Sequence, residues 1–95
     1  MATVFVDAEN VRRSVWPNID RADFDGRCAE WARAHGHELV VVWEGADETA
    51  DDRIASQVRE LPPPLWVVTS DRELRRRVEP YVERIIGGGS FARGL

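Results

Sequence analysis

Thr3-Val-Phe-Val-Asp7 is the stretch on which the reading of this chain turns: an apolar, β-rich run that halts at a carboxylate. The same figure recurs at Val40–Trp43, closed by Glu44 and Gly45, and at Leu65–Thr69, closed by Ser70 and Asp71. A shorter run, Arg84–Ile86, precedes three glycines. Continuous rather than alternating apolar runs suit strands covered on both faces, as in a parallel sheet. Helical patterns fall between them. Phe24, Cys28, Trp31 and Ala32 predict a helix over Asp20–His35 with Gly36 as its stop. Ala50, Ile54, Val58 and Leu61 form a second stripe ended by the prolines at 62–64, and Leu74 and Val78 mark a third, shorter helix that Pro80 ends. Alternating strands and helices define an α/β class, and right-handed crossovers bring every strand's carboxyl end to one edge.

The chain has 95 residues, with 43% hydrophobic and 32% charged, which fits one globular domain over residues 1–95 with no second domain. Seventeen acids against thirteen bases give a net charge of −4, so bulk positive charge is not available to hold nucleic acid. All thirteen bases are arginine, which excludes mechanisms built on a Schiff-base or P-loop lysine. The single Cys28 forms no internal disulfide and no cysteine zinc site, and a reducing, cytoplasmic setting is the expectation. The first apolar run is too short for a signal segment or a membrane span.

The informative residues are the acids. Asp7, Glu44 and Asp71 each follow a strand run, and Asp51 begins the helix after the second strand, so one topology gathers four carboxylates on one rim. Such a cluster repels itself unless a cation neutralises it, and Mg²⁺ or Mn²⁺ suits oxygen ligands where no His or Cys cluster exists. A local role competes at each position. Thr49-Ala-Asp-Asp52 and Ser70-Asp-Arg-Glu73 match the capping box, which assigns Asp52 and Glu73 to caps and leaves Asp51 and Asp71 for the rim. Asp51 lies beside the buried Ile54–Val58 stripe, while Asp52 points away. Asp7 could instead cap a turn at Arg12–Arg13. Asn10, on the loop after Asp7, could orient a water or a phosphate oxygen, or shape an Asx turn.

Four segments together resemble a known family. Val4-Phe-Val-Asp-Ala-Glu-Asn10, Glu48-Thr-Ala-Asp-Asp-Arg-Ile54, Val67-Val-Thr-Ser-Asp-Arg-Glu73 and Gly87-Gly-Gly-Ser-Phe-Ala-Arg93 are similar, in order, to the motifs of NYN domains, closest to the YacP-like ribonucleases of the PIN-like nuclease superfamily. The resemblance implies a three-layer α/β/α fold and metal-dependent endonucleolytic cleavage of RNA. On it, Asp7 matches the first-strand aspartate, Asn10 the asparagine of the D-x-x-N loop, Asp51 the helix-start aspartate and Asp71 that of the T-S-D segment, with Glu44 as a secondary acid. Relatives usually carry a further strand and basic segments that are missing here. The expectation is therefore a mainly parallel four-stranded sheet in the order 2-1-3-4.

The resulting functional expectation is a cytoplasmic Mg²⁺- or Mn²⁺-dependent endoribonuclease. Asp7, Asp51 and Asp71 would hold one or two ions, with Glu44 in support, and a cation-activated water would attack the phosphodiester in line. Ser70 and the arginines Arg12, Arg13, Arg53, Arg72, Arg75 and Arg76 are candidate contacts to RNA, whether messenger, transfer or ribosome-associated. The Arg75–Arg77 run also reads as a solvated helix face. Residues 1–70 carry −6 and residues 71–95 carry +2, a modest asymmetry favouring a polyanion near the C-terminal quarter. The alternative is a non-catalytic module that binds RNA, a ribosome or a protein partner, and a homodimer or an antitoxin-restrained nuclease fits the same residues. Trp16, in a loop before Pro17, is the tryptophan expected to be exposed, whereas Trp31, Trp43 and Trp66 fit core positions. His35 and His37 fall on the rim opposite the acids and read as surface or helix-end residues.

Overall fold

The apolar runs pair side by side, all in one direction. In the computed structural model, which describes residues 1–95, β1 (Thr3–Asp7) sits between β2 (Glu38–Val42) and β3 (Leu65–Val68), and β4 (Arg84–Ile86) flanks β3. The sheet is four-stranded and wholly parallel in the order β2-β1-β3-β4, as expected. Register fixes what reaches the carboxyl edge. Asp7 pairs with Val42, so Glu44 lies two residues past the end of β2. Val6 pairs with Val68, so Thr69 comes level with Asp7.

Side chains alternate across the strands and feed two separate cores. On one face Val4, Val6 and Val68 pack with Val11, Phe24, Cys28 and Phe91; on the other Phe5, Leu65 and Val67 pack with Ile54, Val58, Leu74 and Val78. Helices therefore cover both faces, giving three layers. Each fully buried Phe, Leu, Ile or Val contributes roughly 1.5–3 kcal/mol through apolar surface removed from water.

Helix α2 (Arg21–His35) starts where the Asp20 side chain accepts the Ala22 N–H at 2.8 Å. It stops at Gly36, whose φ of 71° is the left-handed conformation that glycine adopts without a Cβ penalty. Helix α3 (Ala50–Gln57) begins with Thr49 Oγ1 accepting the Asp52 N–H at 3.1 Å. It ends earlier than the stripe predicted. Leu61 lies past the helix, 42% exposed, in the turns that lead from Val58 to Pro62. Helix α4 (Arg72–Val78) runs into a 3-10 turn at Glu79–Tyr81 that contains Pro80.

Two short helices were not anticipated: α1 (Ala8–Arg12), directly after β1, and α5 (Gly88–Arg93), inside the C-terminal glycine segment. They pack against each other on the Phe24 side of the sheet. Asn10 thus stands on a helix rather than a loop. No helix is long and apolar enough to cross a membrane.

Candidate functional site

The strand ends deliver their acids to one open, polar pocket of about 460 Å³, lined by Asp7, Glu44, Asp51 and Asp71 with Asn10 and Arg13. Glu9 and Ser14 complete its wall, and no hydrophobic residue lines it. All four acids singled out from the sequence therefore meet, each brought by a different element: the end of β1, the loop after β2, the first turn of α3 and the residue that opens α4.

Asp7 is almost wholly buried, at 2% exposure, and its one protein hydrogen bond is from the Thr69 hydroxyl to Oδ2 at 2.9 Å. Thr69 is itself fully buried, and its Oγ1 also accepts the Asp71 N–H at 3.1 Å. One hydroxyl thus couples the acid of β1 to the acid of α4. Asn10 adds a second tie, because its Oδ1 accepts the Ser70 N–H at 2.8 Å and faces Thr69 Oγ1 at 3.4 Å. Its carboxamide holds the β3–α4 turn in place.

Asp71, not Ser70, is the N-cap of α4. Its Oδ1 accepts the N–H of Glu73 at 2.9 Å and of Leu74 at 3.4 Å. The capping-box reading was one residue out of register here, and Glu73 pairs with Arg76 instead. The shift follows from Asn10 and Thr69, which already engage the backbone at Ser70 and Asp71. Ser70 Oγ is left to accept the Gly88 N–H at 2.9 Å, linking the turn to α5. At Asp52 the box also lacks its return bond, because the carboxylate takes the Arg77 guanidinium at 2.9 Å. Asp52 does point away from the pocket, as helical geometry required.

The electrostatics are those of crowded like charges. Asp7 is pushed up by burial, against the Thr69 hydrogen bond, with Glu44 and Asp71 adding repulsion. Asp51 is pushed up to about 7 by burial, by its hydrogen bond with Asp71 and by the charges of Asp7, Asp71 and Glu44. Asp71 moves the other way: burial opposes its charge, but the Asp51 hydrogen bond and the Leu74 and Glu73 N–H groups outweigh it. Of the two, Asp51 is the one that takes up a proton more readily.

This donor set is oxygen-only, anionic and reachable, the chemistry that Mg²⁺ or Mn²⁺ prefers. No three of the protein's His, Cys, Asp and Glu side chains are grouped closely enough to hold a metal ion. The residues fit such an ion in kind, and engaging it would require the side chains to close inward.

The expected RNA-contacting arginines divide. Arg13 reaches the pocket while pairing with Glu9 at 3.0 Å, its side chain 63% exposed. Arg12 turns inward to Glu9 and to the Ile19 carbonyl, with only 12% of its side chain exposed. Arg53, Arg72 and Arg75 are exposed and form no ion pair, and Arg76 is exposed beside Glu73 at 3.5 Å. None of these four lines the pocket.

Thr69, Ser14 and Gly88 belong to the site's framework, and none is among the site residues expected from the sequence. Ser14 Oγ donates to the Asn10 carbonyl at 2.7 Å. A Cβ on Gly88 would lie 2.8 Å from Ser14 Oγ and 2.9 Å from Ser70 Oγ, so only glycine fits there without displacing both hydroxyls. The sequence signal was available in the hydroxyl just before Ser70-Asp71 and in a glycine run after a strand.

At the opposite edge, His37 is half-buried between Trp31 and Trp66, with ring centroids 5.6 and 4.4 Å away, and its Nδ1 accepts the Ala2 N–H at 3.0 Å. It is a packed residue, not a surface one. Trp16 is 89% exposed, while Trp31, Trp43 and Trp66 pack partly buried against the Phe24 core. Comparison of the chain with known protein families, with curated proteins and with solved structures finds no match.

Proposed function

We propose that this protein is a Mg²⁺- or Mn²⁺-dependent endoribonuclease whose acidic pocket hydrolyses RNA phosphodiesters. The observation that carries the reading is the convergence of Asp7, Glu44, Asp51 and Asp71 from four elements onto one polar pocket at the carboxyl edge of a parallel sheet. The ordered motifs that resemble NYN domains point the same way.

A divalent cation held by these acids would supply Lewis-acid polarisation of a phosphoryl oxygen and a lowered pKa for attacking water. The chain's own residues do the rest. Asp7, held by Thr69, and Asp71, held by helix N–H groups, would be oxygen donors to that ion. Asp51, in the first turn of α3, faces the same pocket as a further oxygen donor. Arg13, in the pocket wall, is placed to meet a phosphate oxygen. Asn10 and Ser70 position the turn that presents Asp71. A reducing, cytoplasmic setting accords with this reading.

The test is cleavage of a mixed RNA pool during Mn²⁺ or Mg²⁺ titration, for wild type, Asp7→Asn and Asp71→Asn. Cation-dependent cleavage that falls by about a hundredfold or more in both variants is expected. RNA binding without cleavage in any cation would replace the enzyme by a binding module.

A further inference from the structure

The largest cleft in the molecule is not the acidic pocket. It measures about 690 Å³, lies between α3 and the end of α4, and is lined among others by Asp52, Ser56, Arg59, Arg77, Pro80 and Tyr81. Only Asp51 and Asp52 separate it from the acids, since Asp51 lines one cavity and Asp52 the other. From Asp52 the cleft runs along α3 and the turn after it to Arg59, about 12 Å from Asp51 at 1.5 Å per residue.

The lining sets two arginines, Arg59 and Arg77, against two acids, Asp52 and Glu60, beside an aromatic ring. Tyr81, 41% exposed, and Pro80 offer a flat apolar platform, and the Arg59 guanidinium already lies 5.3 Å over the Tyr81 ring. Arg77 faces the cleft with 40% of its side chain exposed, held by Asp52 at 2.9 Å. Ser56 adds a hydroxyl. A base can stack where Arg59 now lies, and a phosphate can compete with Asp52 for Arg77.

We infer that the α3–α4 cleft is a subsite for the strand flanking the scissile phosphate, stacking a base on Tyr81 and meeting phosphate with Arg59 and Arg77. It rests on the nuclease reading and extends it, because it assigns single-stranded rather than paired RNA as the substrate: a stacked base must be unpaired.

The test is titration of the full chain with a 2′-O-methyl tetranucleotide, followed by amide NMR in EDTA so that neither cation nor cleavage is needed. Shifts centred on Ser56, Arg59 and Tyr81 are expected, with affinity about tenfold weaker for Tyr81→Ala and for Arg59→Gln. Asp52→Asn should bind more tightly by about threefold, because it frees Arg77. Arg33→Gln, with the same change of charge on the outer face of α2, is expected to bind as wild type does. Shifts confined to other surfaces, or equal losses in Arg59→Gln and Arg33→Gln, would overturn the subsite. The nuclease reading fails separately, if the wild type cannot hydrolyse bis(4-nitrophenyl) phosphate in Mn²⁺.

Discussion

Thr69 shows how much of this site hangs on single atoms. Its hydroxyl is the only protein partner of the buried Asp7 carboxylate and also accepts the Asp71 N–H. Thr69→Val keeps the shape and removes both bonds, and chemical denaturation should register a loss of about 1–3 kcal/mol from a buried polar group left unpaired. Asp51 predicts the opposite sign. It is crowded by Asp7, Asp71 and Glu44, so Asp51→Asn in EDTA at pH 8 should raise the thermal midpoint by several degrees, relief of about 1 kcal/mol being worth roughly 4–8 °C in a domain this small. An unchanged or lowered midpoint would show that the acids do not repel one another. At this scale the acids were legible because each interrupts an apolar run. The cap at Asp71 was not, since Ser-x-x-Glu and Asp-x-x overlap by one residue and only the long-range ties of Thr69 and Asn10 choose between them.

Elements add what residues alone do not settle. The strands were readable because β1 is covered on both faces and so is apolar without a break, and the end of α2 was readable because Gly36 alone in the chain takes a positive φ. Gly36→Ala should cost about 1 kcal/mol in a denaturant titration. The helices α1 and α5 were hidden for opposite reasons: α1 has only Ala8 and Val11 as buried residues, and α5 opens with glycines that read as a turn. Their contact carries Gly88 to Ser14 and Ser70. Gly88→Ala should therefore lower stability by about 1 kcal/mol through disturbed hydrogen bonds, and should depress RNA cleavage more than a distant surface alanine does, because Ser70 and Asn10 position Asp71.

For the whole molecule, charge is distributed by edge. The carboxyl edge collects acids, and the opposite edge collects His37, Trp31, Trp66 and Arg84. Burial lowers the His37 pKa from its usual 6.5, with the N-terminal amine, His35 and Arg84 adding to the effect. The unfolded chain thus binds a proton more readily than the fold does. Stability from this residue is fully present above pH 6.5 and is lost as pH falls through the window below it. His37→Gln should lose less stability than wild type between pH 7.5 and pH 5.5 in urea titrations, and equal losses would remove His37 as the source.

The −4 net charge describes the molecule poorly, because it averages an acidic rim with exposed arginines at Arg53, Arg72 and Arg75. What decides function is whether that rim binds a divalent cation. Mn²⁺ titration followed by paramagnetic broadening of backbone amides tests this most directly. Broadening should begin at Asp7, Asn10, Asp51 and Asp71, saturate, and be displaced by Mg²⁺. Broadening spread evenly over exposed acids such as Asp23, Glu30 and Glu60, without saturation at the pocket, would contradict it.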